Sequence, residues 1–157
     1  MSELESFLAA LGVAYVPSGQ RINVNDRRFV ASPEVASWIK GRSRLVYAGK
    51  LLGRARGAFQ PSAVLLRELS DLPGVHRTWV DERVGWLFVC GRDIFIESIL
   101  RTDGEMAEGS LFLVILGDGC LGYGRVESRD GKLLLANLFD IGDFLRRERR
   151  PEGRADR

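Results

Sequence analysis

Residues 111–139 constrain this chain more than any other stretch. The apolar runs "SLFLVIL", "CLGYGRVES" and "KLLLANLF" are separated only by short segments built on Asp118-Gly119 and Asp130-Gly131. Such Asp-Gly pairs make the positive φ of tight turns available, so strand 111–116, strand 121–128 and a following strand are predicted to form successive hairpins. The same residues offer a rival. Gly117-Asp-Gly119-Cys-Leu-Gly122 matches G-x-G-x-x-G, and Asp140 lies 18 residues beyond its third glycine, the outline of a dinucleotide-binding loop. That fingerprint needs a helix directly after its glycines, because the pyrophosphate sits on the helix N-terminus. Here Gly124 falls where the helix would start, and Asp130-Gly131 turns the chain shortly after. The hairpins win, and the glycine match is accidental.

Several chemistries are set aside by composition. His76 is the single histidine, so no His-rich metal site can form, and Cys90, Cys120 and His76 match no zinc spacing. A Cys–His nucleophilic pair is disfavoured because His76 follows an apparent Leu72-Pro73-Gly74 turn, where a surface or satisfied loop histidine is the commoner case. The two cysteines are expected to be buried thiols of a reducing compartment rather than a disulfide. No run approaches the roughly 18 apolar residues of a membrane span. Glu3 and Glu5 stand where a signal peptide carries positive charge, which predicts a cytoplasmic protein. No cofactor is expected.

With 157 residues, 45% of them apolar, the chain suffices for one large domain or two small ones. "SELESFLAALGV" predicts a helix with Ser2 as cap and Glu5 completing a capping box. "QRINVNDRRFVAS" predicts a strand hairpin broken at Asn25-Asp26. "SPEVASWIKG" predicts a helix capped by Ser32, with Pro33 first and Gly41 as its stop. "RLVYAGKLLGRA" reads as a strand and glycine-bearing loop, and "QPSAVLLRELSDLPG" as a helix with Pro61 near its start. A polar bridge, "VDERVG", marks a boundary, giving domains 1–82 and 83–150 with a disordered tail at 151–157. "WLFVC" reads as a strand, and "RDIFIESIL" as a short helix or irregular turn. "DIGDFLRRERR" carries a narrow apolar stripe of Ile141, Phe144 and Leu145. Trp38, Trp79 and Trp86 are assigned to the core or the domain junction. The class is α+β: an N-terminal α/β domain followed by a small mostly-β module.

Positive charge is unevenly placed. Residues 146–157 carry a net charge of +3, which leaves −1 for the rest of the chain. Residues 40–57 hold six basic side chains and no acidic one, and of 23 basic residues in the chain 20 are arginine. Arginine offers a planar fork for phosphate and a flat face for bases. Arg146, Arg147, Arg149 and Arg150, beside the Phe144-Leu145 anchor, suit phosphates and base stacking, or they complement the dipole of a solvated terminal helix. In the 40–57 cluster, a strand would place Arg42, Arg44 and Val46 on one face and Tyr47 on the other, with Arg54 and Arg56 sharing a face. Lys50 completes this second candidate surface. Its glycines allow close approach of a phosphate, or are simply bends in a packed loop.

The series "GRDIFIESILR", "EGSLFLVILGDGCLGYGRVES" and "NLFDIGDFLRRE" resembles a PUA domain, an RNA-binding fold attached to several RNA-modifying enzymes. More narrowly, "LGYGRV" with "DIGDFLRRE", preceded by "RLVYAGKLLG" and "TWVDERVGWLFVCG", resembles the Nip-seven family of large-subunit ribosome biogenesis factors. The resemblance covers about residues 15–150, and the short first helix points to an archaeal member. It implies a PUA-type barrel and a non-catalytic factor binding pre-rRNA or single-stranded RNA beside ribosome-assembly or RNA-processing proteins. It implies RNA contacts at Arg92 and Arg101, which flank "DIFIESIL", alongside the C-terminal arginines. The alternatives are a protein–protein adaptor of an RNA-processing complex and an accessory subunit of an RNA-modifying enzyme.

Overall fold

In the computed structural model, residues 2–148 are described. The expected tail at 151–157, with Arg149 and Arg150, lies outside the described residues. The chain divides between Val75 and His76 into two units, ahead of the 82/83 boundary read from the sequence.

The first unit is a four-stranded antiparallel sheet with helices on both faces. Helix α1, Glu3–Ala10, begins as predicted: the Glu5 N–H donates to Ser2 Oγ (3.3 Å), and the Ser2 N–H donates to the Glu5 carboxylate (2.8 Å). Strands β1 (Gln20–Val24) and β2 (Arg27–Ala31) form the expected hairpin, with Asn25 at φ +53°. Helix α2, Pro33–Ile39, carries the predicted Ser32 cap and Pro33 start. The next stretch reverses the expectation: residues 41–49 are irregular, and the strand, β3, is Lys50–Arg56. Strand β4 (Ala58–Pro61) follows and ends on Pro61, so helix α3 (Ala63–Ser70) is capped by Ser62 instead. The sheet order is β1-β2-β3-β4. Phe29 pairs with Leu51 and joins Ile39 of α2 in one cluster. The next pair, Val30 with Lys50, must face the other way, and there Lys50 meets Glu68 of α3.

In the second unit, β5 (Arg77–Trp79) leads into helix α4, Glu82–Val89, capped by Asp81 through the Val84 N–H (2.8 Å). The "VDERVG" bridge and the "WLFVC" strand of the sequence reading are thus one helix, whose buried side, Gly85 and Phe88, faces the barrel core. A short strand β6 (Ile94–Phe95), a 3-10 turn (Ile96–Ser98) and β7 (Arg101–Asp103) replace the ambiguous "RDIFIESIL". Then come the long strands: β8 (Leu111–Leu116), β9 (Gly119–Arg129) and β10 (Lys132–Asp140), ending in helix α5, Asp143–Glu148. Their two hairpins are those predicted, though Leu116 pairs with Gly119, so Gly117 and Asp118 form the first turn.

The order β6-β10-β9-β8-β5-β7 puts β6 and β7 at opposite edges of one sheet. Laid flat, six strands would span about 24 Å. The connection between β6 and β7 runs only from residue 96 to 100 and contains the 3-10 turn, whereas even full extension would reach no more than ~20 Å. The sheet therefore curls toward a barrel. Its core gathers Phe88 of α4 with Ile94, Phe112, Val114, Leu121, Val126 and Leu135. Gly122, the last glycine of the apparent nucleotide loop, and Gly124 instead allow close approach of strands. A Cβ on Gly122 would collide with the Phe139 carbonyl, and one on Gly124 with the Ala136 carbonyl, both on the neighbouring strand β10.

Candidate functional site

The arginines of the second unit fall into two sets. The first is built into the fold, and its centre is Asp140, only 1% exposed. Its carboxylate accepts from the Gly142 N–H (2.9 Å), the Asn137 side-chain amide (3.0 Å) and both terminal nitrogens of Arg146 (2.9 and 2.8 Å). Arg146 also donates to the Val89 carbonyl at the end of α4. The Asp140 bonds hold the Arg146 pKa above its ordinary value. Arg146 is thus a clamp between α5, α4 and the end of β10, not the outward phosphate ligand expected of it. Asp140, the acidic residue that completed the apparent nucleotide fingerprint, is the clamp's other half. Arg129 is likewise engaged, by Asp93 (2.6 Å) and Glu127 (3.0 Å).

The second set points outward. Arg147, with 74% of its side chain exposed, meets only Asp143 among the described residues, at 2.7 Å. Arg92 is exposed, and its side chain has no ion-pair or hydrogen-bond partner among the described residues. On β7, the Arg101 guanidinium lies 3.7 Å from the centre of the Trp79 ring, a cation–π contact that presents a flat cationic face. Arg92 lies in the loop just before edge strand β6, and Arg101 opens edge strand β7. Arg83 and Arg125, which sequence reasoning passed over, are also exposed and without ion-pair partners among the described residues. Arg83 precedes Trp86 by three residues on α4, and the helical spacing becomes a signal once that segment is recognised as a helix.

In the first unit, the 40–57 cluster is not one surface. Lys50 is bound by both oxygens of Glu68 (2.8 and 3.0 Å). Tyr15 donates to the same carboxylate (2.8 Å), so burial and this acceptor push the Tyr15 pKa to about 12, while Lys50 lowers that of Glu68. Arg56 pairs with Asp26, and Arg54 is half-buried on β3. Arg42 and Arg44 do stand exposed, but in the irregular segment, where strand alternation no longer separates them from Tyr47. The tryptophan expectation also changes: Trp38 is 65% and Trp86 69% exposed, and only Trp79 is half-buried. Cys90 is exposed rather than buried; Cys120 is half-buried, with its pKa pushed up to about 11 by burial, and both thiols are free. His76 is a satisfied residue, 3.2 Å from the Leu111 carbonyl through Nδ1 and stacked on Phe112. Among the described residues there is no metal-ligating cluster and no helix long and apolar enough to cross a membrane.

Comparison with known proteins agrees with this architecture. A solved structure described as a conserved PUA domain protein from Thermoplasma acidophilum superposes with a TM-score of 0.57 at 16% identity, covering 94% of this chain and 96% of its own. Residues 76–149 match the UPF0113 PUA domain, so the PUA region begins with the second unit. A UPF0113 protein of Archaeoglobus fulgidus is 34% identical over 116 residues, 66% of this chain; the match spans 63% of that relative's length. A UPF0113 protein of Aeropyrum pernix is 31% identical over 153 residues, covering 92% of this chain and 86% of its own. With an α+β fold, a curled β unit of PUA type and near full-length similarity to an archaeal member, the chain belongs to the UPF0113 family.

Proposed function

We propose that this chain is a non-catalytic RNA-binding factor of large-subunit ribosome assembly, of the Nip-seven kind, which contacts pre-rRNA or other single-stranded RNA through its PUA unit. PUA domains are generally RNA-binding, and the observation that carries the reading is the division among the arginines. Asp140 and Asp93 hold Arg146 and Arg129 in place, while Arg92, Arg101 and Arg147 stand exposed. Guanidinium groups free of buried carboxylates neutralise phosphates at low desolvation cost, and Arg101, already flat against Trp79, offers a plane to a base.

The test is a salt titration of binding to a labelled single-stranded RNA, comparing the wild type with Arg92→Ala/Arg101→Ala/Arg147→Ala. Three lost phosphate contacts would flatten the log–log slope by about 2, at about 0.7 per contact. No binding by the wild type at low salt refutes the reading. Co-sedimentation with large-subunit precursor particles then tests the assembly role.

One observation favours a second reading, a protein–protein adaptor. Trp86, Leu87, Phe144 and Leu145 are large apolar side chains left exposed on α4 and α5. An adaptor would bind assembly or RNA-processing proteins without the salt-dependent RNA affinity.

A further inference from the structure

Helix α2 and the segment after it leave two aromatic rings in solvent beside cations that have no ion-pair partner among the described residues. Ile39 turns inward to the Phe29 cluster, whereas its neighbour Trp38, about 100° further round the helix, is 65% exposed. Burying Trp38 would be the ordinary outcome for so large an apolar side chain. Instead it is fixed in place at the surface. The Arg42 guanidinium sits 3.9 Å from its ring centre, and Arg42 Nε donates to the Trp38 carbonyl at 3.0 Å. Tyr47, 61% exposed, stands edge-on against Phe29 at 4.9 Å. Its segment is tied down by Arg27, which donates to the Val46 carbonyl at 2.7 Å.

The charge between the rings is of one sign. Residues 39–46 carry Lys40, Arg42 and Arg44 and no carboxylate. All three cations are exposed, Arg44 at φ +66°. Glu34, one turn before Trp38, is hydrogen-bonded back to the cap Ser32. Beside α2 a cleft of about 480 Å³ opens between Lys40 and Arg21, with Gln20 and Ser37 on its walls and Ile22 and Leu45 on its apolar side. That size is within the range of small-ligand sites, roughly 300–1,000 Å³.

We infer that Trp38 with Arg42, together with Tyr47, forms a stacking platform for unpaired nucleobases on the first unit, with Lys40 and Arg44 taking the adjoining phosphates. An exposed indole pinned by a guanidinium offers a rigid π-face at little entropic cost. The cations that follow it in the chain supply the backbone attraction, which is the combination by which single strands are held without sequence readout. A double helix hides its base faces, so the platform selects single-stranded RNA over duplex. This inference rests on the RNA reading above and extends it to a second site outside the PUA unit.

The experiment measures the full chain's affinity for a labelled oligouridylate and for a hairpin duplex across a salt series. The wild type is compared with Trp38→Ala, Trp38→Phe, Tyr47→Ala and Arg42→Ala/Arg44→Ala, each checked for native circular dichroism. Because Trp38 is exposed, its replacement leaves the fold intact. Trp38→Ala is expected to weaken oligouridylate binding about 5- to 100-fold, the worth of one stacked base, at an unchanged salt slope. Trp38→Phe restores most of the affinity, Tyr47→Ala weakens binding less than Trp38→Ala, and Arg42→Ala/Arg44→Ala flattens the slope by about 0.7, the one phosphate contact of Arg44. Quenching of Trp38 fluorescence by the RNA supports the same contact.

Undiminished affinity in Trp38→Ala, with the PUA-unit triple variant weakened, overturns the platform and leaves the RNA reading standing; the exposed rings would then belong to a protein contact. Equal losses on oligouridylate and duplex overturn stacking. Absence of binding by the wild type overturns both.

Discussion

Replacing Arg146 with alanine separates structure from recognition in the PUA unit. Arg146 supplies two of the four hydrogen bonds reaching the Asp140 carboxylate and also holds the Val89 carbonyl. The variant leaves a carboxylate that is 1% exposed with two neutral donors and no counter-charge. Removing one partner of a fully buried pair costs about 3–5 kcal/mol. The Arg146 side chain is itself 40% exposed, so water reaches the vacated space and screening brings the expected loss down to about 2 kcal/mol. Urea unfolding followed by fluorescence in a Trp38→Phe background reads only Trp79 and Trp86, both in the second unit. With a slope of about 1 kcal/mol/M for a unit this small, the midpoint falls by about 2 M. Arg146→Lys, which keeps the charge but loses the fork, lies between. Asp140→Asn combined with Arg146→Ala costs less than the sum of the two, because they share one interaction. Arg147→Ala changes stability by less than about 0.5 kcal/mol, its ion pair being on the surface. Below the unfolding transition, Arg146→Ala keeps the wild-type salt slope for RNA. A stability loss under about 0.5 kcal/mol, or a slope flattened by about 0.7, would refute the clamp.

Gly122→Ala drives a methyl group into the Phe139 carbonyl at a residue with φ +151°, and thermal unfolding should report a loss of more than about 2 kcal/mol. A thiol reagent at pH 8 should label Cys90 quickly and Cys120 slowly, since the latter's pKa is about 11; Cys90→Ser should abolish the fast phase. Tyr15 has a pKa raised to about 12 in the fold, so its contribution is intact below pH 10 and is lost as pH climbs toward 12; Tyr15→Phe should flatten that alkaline decline in urea midpoints. Glu68 has the opposite sign. Its lowered pKa stabilises above the ordinary carboxylate range and loses that effect in acid, so the stability gap between wild type and Glu68→Gln should close as pH falls below about 4.

Much of the fold is legible because local chemistry and tertiary packing agree. Ser2 with Glu5, Ser32 with Pro33, and the turns at Asn25-Asp26 and Asp130-Gly131 each specify a conformation within four residues, and the structure uses all of them. "WLFVC" misleads because a run of five apolar residues lacks a period, while the informative signal is Asp81 as a cap five residues earlier. β5 and β7 are too short to show alternation; they are strands because β8 and one another complete their hydrogen bonds. The site is less legible. Nothing local distinguishes Arg146 from Arg147: the first meets a carboxylate buried at the end of β10, and only the fold brings them together. Likewise Lys50 lost its place in the cationic cluster to Glu68, which sits on α3 beyond an intervening strand.

The position of β5 also orders the assembly of its unit in time. It lies between β8, which it meets in parallel, and β7, yet during synthesis it emerges before either. The β8–β9–β10 meander can close on itself through its two tight turns, on the microsecond scale of hairpins. β5 can meet β7 earlier, but its ladder with β8 must wait until that meander exists, and non-local parallel pairing is slow. For that interval Thr78, wholly buried in the finished unit, and the unpaired edges around it are open to wrong partners. The strand that is made first is therefore the one whose docking to β8 completes the barrel.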